Sequence, residues 1–175
     1  MATYKIDPVH SDITFKIKHL MISTATGSFK KFEGTLDADN EDFSDAKITF
    51  EADTDSIDTG NEQRDGHLKS DDFFNAEQYP KLTFTSTSVQ NVSGDEYKVI
   101  GDLTVRDITK PVELKVEFNG KVIDPWGQER LGFEITGKIN RKEYGLKWSA
   151  VTEAGGLMLS DDVKLHLNVE LVKQA

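Results

Sequence analysis

From Asp12 to Lys18 the side chains alternate: Ile13, Phe15 and Ile17 are apolar, while Asp12, Thr14, Lys16 and Lys18 are polar. Successive side chains of an extended chain point to opposite faces, so this period of two marks a strand with one buried face. The pattern recurs through Phe32, Gly34 and Leu36; through Ala46, Ile48, Phe50 and Ala52; and through Leu82 and Phe84, in phase with Ser86 and Ser88. It returns in Val99, Gly101, Leu103 and Val105, in Val112, Leu114, Val116 and Phe118, in Leu131, Phe133, Ile135, Gly137 and Ile139, and in Val163, Leu165, Leu167, Val169 and Leu171. Turn signals separate the runs: Asp7-Pro8, Ser93-Gly94-Asp95, Lys110-Pro111 and Asp124-Pro125-Trp126-Gly127. Short connections imply antiparallel neighbours. About eight half-apolar strands need their inner faces covered, and a sheet closed on itself does this without leaving edges. The expected fold is all-β, a single antiparallel barrel of about eight strands, with a sandwich as the alternative.

The 175 residues suit one domain spanning 1–175, since no repeat, low-complexity tract or linker divides them. Lys and Arg number 21 against 31 Asp and Glu, a net charge of -10, which opposes binding to phosphate backbones and excludes nucleic acid as an expected partner. The absence of cysteine removes disulfides, thiolate metal sites and cysteine nucleophiles. The opening MATYKIDPVHSD has no apolar leader, and no run approaches the ~18 apolar residues of a membrane span. The expected compartment is therefore the cytoplasm, without stable membrane insertion.

One stretch breaks the strand pattern. GNEQRDGHLKSDDFF, Gly60 to Phe74, supports a helix to about Lys69, with Thr59 and Glu62 spaced as a capping box. Ser70 then caps a short turn carrying Phe73 and Phe74, and Tyr79-Pro80 leads into the next strand. Most of the charges suit a solvated helix face. The functional reading places Arg64 and His67 at the mouth of a cavity while Leu68, Phe73 and Phe74 pack down as a lid. The segment closes the barrel end rather than catalysing.

An eight-stranded barrel is either filled by side chains or holds one small ligand. Gly34, Gly101 and Gly137 fall in the inward phase with Ser86 and Ser88, where small residues leave room or mark the corners of the sheet. The inward set Ile13, Phe15, Ile17, Phe32, Ile48, Phe50, Phe84, Leu103, Phe133 and Ile135 offers an apolar lumen. Each buried CH₂ contributes about 0.8 kcal/mol against an association cost of about 4–15 kcal/mol, so a long chain suits such a lumen and a short one does not.

Four stretches together carry a family resemblance: IDPVHSDITFKIKHLMISTATGSFKKFEG, TGNEQRDGHLKSDDFFNAEQYPKLTF, GDLTVRDITKPV and INRKEYGLKW. The chain resembles the YceI-like family over almost its whole length. That resemblance implies a lipocalin-like barrel, a polyisoprenoid or similar long lipid in the lumen, and a homodimer. The resemblance also implies a secretion signal in many relatives, which the opening residues here do not lead one to expect.

The four histidines form no HxH or HExxH pattern, so neither metal nor cofactor is expected. His166 lies in a polar phase and belongs on the surface, and His10 holds the Asp7-Pro8 turn. His19 ends an inward phase, where it can meet a polar head group at the lip or make a structural hydrogen bond. Leu20-Met21-Ile22, followed by the small polar STATGS, suits a loop at the entry rim or a dimer contact. Tyr144 and Trp148, in the connection after Ile139, either cover the wall or form part of the opening. No GxSxG elbow or phosphate-binding loop is present, so no catalytic residue is assigned. A non-catalytic carrier of a long isoprenoid or fatty lipid is the favoured function. The alternatives are an enzyme acting on a lipid-like substrate and an interaction module with a filled barrel.

Overall fold

The protein is described from a computed structural model covering residues 2–20, 22–146 and 159–175. Its elements, in chain order, are β1 (Ala2–Ile6), β2 (Asp12–His19), β3 (Ser23–Phe29), β4 (Phe32–Ala38), β5 (Lys47–Asp53), β6 (Ile57–Asp58), α1 (Glu62–Lys69), β7 (Lys81–Ser93), β8 (Glu96–Val105), β9 (Ile108–Ile123), β10 (Glu129–Asn140) and β11 (Leu159–Lys173). Every pairing is antiparallel. The order β1-β4-β5-β7-β8-β9-β10-β11 closes on itself through β1 and β11, giving the eight-stranded barrel.

The long strand β11 explains how the barrel closes. Its C-terminal part pairs with β1, Leu171 opposite Ile6, and its N-terminal part pairs with β2, Leu165 opposite Phe15. β1 and β2 thus act as one interrupted partner. The interruption is the turn at Asp7, whose carboxylate accepts from Val9 N and meets His10 Nδ1 at 2.7 Å, so His10 does hold this turn. Beyond it, β2, β3 and β6 continue as a flap that α1 extends.

Four features depart from the sequence expectation. Lys110-Pro111 is not a turn: it lies within β9, opposite Leu103 and Asp102, and the chain turns instead at Arg106-Asp107, between Val105 and Ile108. STATGS, to which the alternation assigns no strand, belongs to one: Ser23–Phe29 is strand β3, with Gly27 opposite Phe15. Its small, polar residues hide the alternation that Ala25, Gly27 and Phe29 in fact keep. Ser88 does not share the inward phase of Phe84, because a bulge between Ser86 and Ser88 adds a residue and reverses the alternation, bringing Val89 opposite Val99. Asn61, not Thr59, caps α1: its Oδ1 accepts from Arg64 N at 2.9 Å. Gly60, at φ +81°, turns the chain between them, so Thr59 instead donates its N–H and hydroxyl to the Asp65 carboxylate.

One end of the barrel is packed solid. Phe43 reaches into it from the β4–β5 loop, meeting Tyr97, Phe118 and Phe133 edge-on at ring distances of 5.8, 5.2 and 5.5 Å. It does so at φ +58°, a region costly for a bulky side chain. The loop enforces this: the Asp45 carboxylate accepts from Asp39 N and Asn40 N, and Asp42 accepts from Ser44 N. Outside the plug, Arg130 bridges Asp7, Asp124 and Glu170 at 2.9, 2.8 and 3.1 Å. Among the described residues, no helix is long and apolar enough to cross a membrane.

Candidate functional site

Above the aromatic plug the barrel is hollow. A chamber of about 920 Å³ runs from Phe133, Val169 and Leu171 to the rim at His19, Leu146 and Leu159. Of the lumen residues expected from alternation, Ile13, Phe15, Ile17, Ile48, Phe50, Phe84, Leu103, Phe133 and Ile135 stand on its wall. Phe32 is not part of that surface; it stacks on Phe50 at 6.4 Å and supports it.

The glycines create space in a way different from the expected one. A Cβ on Gly27 would overlap the Phe15 ring, one on Gly101 the Phe84 ring, one on Gly34 Ile6 Cδ1 at 2.5 Å, and one on Gly137 Leu114 Cδ2 at 2.6 Å. The room above each glycine is already taken. Each lets a large neighbour lie flat against the wall, a strand-to-strand covering of glycine that leaves the centre of the barrel clear.

The mouth is bordered by the segment from Thr59 to Phe74. Phe73 and Phe74 are buried, and Phe74 meets Phe29 at 5.8 Å, which in turn meets Phe15 at 5.7 Å. Leu68 packs partly buried against the same core. The helix itself buries no residue fully and has no apolar face, so polar contacts hold it. Arg64 donates from Nε to Thr59 Oγ1 at 2.7 Å and from Nη2 to Thr59 O at 2.6 Å. His67 meets Asp72 at 2.8 Å and Phe73 edge-on at 5.2 Å. His19, Arg64, His67, Leu68, Phe73 and Phe74 all face the chamber. Trp148, also expected here, lies outside the described residues.

Two arginines escaped sequence reasoning. Arg106, in the β8–β9 turn at φ +56°, donates to the carbonyls of Asp71 and Phe73 and to the Asp71 carboxylate, tying the Phe73–Phe74 turn to the barrel. Arg141 follows β10, is only 2% exposed and faces the chamber. It donates to Ser160 O at 2.9 Å and Leu146 O at 2.6 Å. Burial lowers the pKa of its guanidinium, and the charge of Asp161 opposes that shift. Burial likewise raises that of the adjacent Tyr144 phenol. The tripeptide Asn140-Arg141-Lys142 carries the only available signal, an arginine directly after an inward-phase strand. Among the described residues, no group of three or more His, Asp or Glu side chains is placed to hold a metal ion.

Comparison with known proteins gives a consistent picture. The sequence matches the YceI-like domain over residues 4–171. It is 43% identical over 171 residues to a UPF0312 protein of Staphylococcus epidermidis, covering 97% of each chain. Among solved structures, the YCEI protein of Campylobacter jejuni is 32% identical with a TM-score of 0.77 over 90% of each chain. A polyisoprenoid binding domain from Saccharophagus degradans, at 17% identity, shares the fold with a TM-score of 0.71 over 98% of each chain.

Proposed function

The chain belongs to the YceI-like domain family, and we propose that it is a non-catalytic carrier holding a long-chain isoprenoid or similar apolar lipid in its chamber. The observation that carries this reading is the chamber of about 920 Å³, with walls dominated by alkyl and aromatic side chains. A methylene fills about as much space as a water molecule, ~30 Å³, so the chamber has room for roughly thirty carbons. Burial at about 0.8 kcal/mol per CH₂ must exceed an association cost of about 4–15 kcal/mol, so chains shorter than roughly ten carbons gain too little. The guest is long. The fold neighbour from Saccharophagus degradans, a polyisoprenoid binding domain, agrees in kind.

The test is solvent extraction and mass analysis of the purified protein, followed by titration of delipidated protein with isoprenoid alcohols of increasing length. Stoichiometric long-chain lipid and affinity rising with chain length are expected. Equal affinity for short and long members would overturn the reading, because chain burial is the proposed source of binding energy.

A further inference from the structure

Strands β9 and β10 are joined from Ile123 opposite Glu129 to Lys115 opposite Thr136, and there their ladder ends, although β9 begins at Ile108 and β10 runs on to Asn140. On their other sides both strands stay paired, β9 with β8 as far as Ile108 and β10 with β11 as far as Asn140. The wall therefore carries a seam, and strands without a shared ladder separate more readily than those that have one. A hollow of about 610 Å³ lies at this seam on the outer face. Leu114 and Leu165 line both this hollow and the chamber. Both lie against Gly137, where a Cβ would fall 2.6 Å from Leu114 Cδ2 and 3.8 Å from Leu165 Cδ1.

The charge around the hollow is opposite in sign to that of the chain. Lys138, Lys164 and Lys16 stand in one row on β10, β11 and β2, and Lys98 stands opposite Lys115 on β8 and β9, in a molecule of net charge -10. Like charges placed directly opposite in a sheet are destabilising. Glu113, Glu96 and Asp162 meet Lys98, Lys115 and Lys138 at 3.1, 3.2 and 3.6 Å, and Glu134 meets His166 at 3.0 Å. Lys16 and Lys164 have no acidic partner among the described residues.

We propose that this wall is a docking surface for an anionic bilayer, which supplies the missing counter-charge to Lys16 and Lys164 while the β9–β10 seam faces the lipid. The use of the seam rests on the carrier reading, and the proposal names the partner with which cargo is exchanged. Lysine is a strongly hydrated point charge on a flexible stem, so a row of lysines on strands about 5 Å apart suits a phosphate-bearing surface better than one small anion. The seam favours a bilayer over an acidic protein, because a bilayer brings apolar chains to Leu114 and Leu165. The net charge repels the remaining surface of the molecule, so docking is peripheral and selects this face.

The experiment is cosedimentation of delipidated protein at low ionic strength with vesicles of pure phosphatidylcholine, or of phosphatidylcholine containing about one quarter phosphatidylglycerol. The anionic vesicles should be bound at least about tenfold tighter, and the margin should shrink as salt is raised. In the Lys16→Gln, Lys164→Gln double variant that affinity should fall at least about fivefold. Lys30→Gln, Lys31→Gln makes the same change of charge at the exposed β3–β4 turn and should alter it less than about twofold. Uptake of a prenol from anionic vesicles should slow in the first variant, while prenol affinity measured without vesicles stays unchanged, because neither lysine lines the chamber. Equal binding to the two vesicles, equal losses in the two variants, undiminished uptake in the first, or lysine-dependent self-association in place of vesicle binding each overturns the docking proposal. All of these leave the carrier reading standing, since that reading fails only on its own chain-length titration.

Discussion

The two ends of this barrel use the same alternation to opposite effect. At the plugged end, inward residues meet a ring delivered from outside the sheet, Phe43, and become core. At the hollow end, inward residues on the same strands meet nothing across the lumen, because their bulk is laid sideways over glycines of neighbouring strands. Strand pattern decides which side chains point inward. What fills the centre is decided by a loop at one end and by four glycines at the other. On the proposed carrier reading, the plug contributes stability and the hollow contributes capacity.

The comparison is broken most directly at Phe43. Phe43→Ala should cost about 3–5 kcal/mol, the loss of a buried aromatic together with the cavity it leaves. Ile17→Ala, at the hollow end, should cost only about 1–2 kcal/mol, because the space beside Ile17 is already empty and only the transfer contribution is lost. Denaturant unfolding of the two delipidated variants measures both. Lipid affinity should rank the other way, falling for Ile17→Ala. Equal destabilisation would mean that the two ends are packed alike.

Acid sharpens the same contrast, because the plugged end carries the ion network. Asp7, hydrogen-bonded first to Arg130 and then to His10, has its pKa lowered from 3.8 to about 2. A carboxylate with a depressed pKa in the folded state stabilises the fold above its ordinary value, and this contribution is lost as pH falls from near 4 through 2. The loss is on the order of 1–2 kcal/mol once solvent screening is allowed for. Arg130→Gln should lower stability at neutral pH and flatten this acid limb, since the first cause of the shift is gone. An acid limb unchanged by the substitution would place the sensitivity elsewhere. Tyr4 gives the alkaline counterpart. Burial and its hydrogen bond to Glu129 raise its phenol to about 12, so its contribution is complete below pH 10 and lost between 10 and about 12.

Strands with strong alternation, such as Val112 to Phe118, were legible because a period of two has one structural meaning over that length. β3 was not, because Ser, Thr, Ala and Gly carry almost no hydrophobic contrast. Its signal lies in its partner, where a phenylalanine requires a glycine opposite. The segment at the mouth was legible as a helix and two phenylalanines, whereas its fastening was not: Arg106 lies 35 residues from Asp71 in sequence, and nothing local pairs them. Phe43 was missed for a similar reason. A single aromatic in an acidic loop looks solvated until the loop is seen to turn at φ +58° and send the ring inward.

The smallest expected effect tests the glycine arrangement itself. The atoms nearest a methyl on Gly27 all belong to the Phe15 ring, the movable end of a side chain, whereas one on Gly101 meets the backbone oxygen of Thr85 at 2.6 Å as well as Phe84. Gly27→Ala should therefore be accommodated by Phe15 swinging into the chamber. Its cost should stay near 1 kcal/mol, since the ring keeps apolar surroundings and the strand loses a flexible residue. The displaced ring takes lumen volume, so affinity for a long prenol should fall while a shorter one is bound almost as before. Gly101→Ala cannot relax this way and should destabilise by more, about 1–3 kcal/mol. Calorimetric unfolding and a chain-length titration on the two variants separate the effects. If Gly27→Ala left the longest prenol's affinity unchanged, Phe15 would not be what the glycine holds out of the lumen.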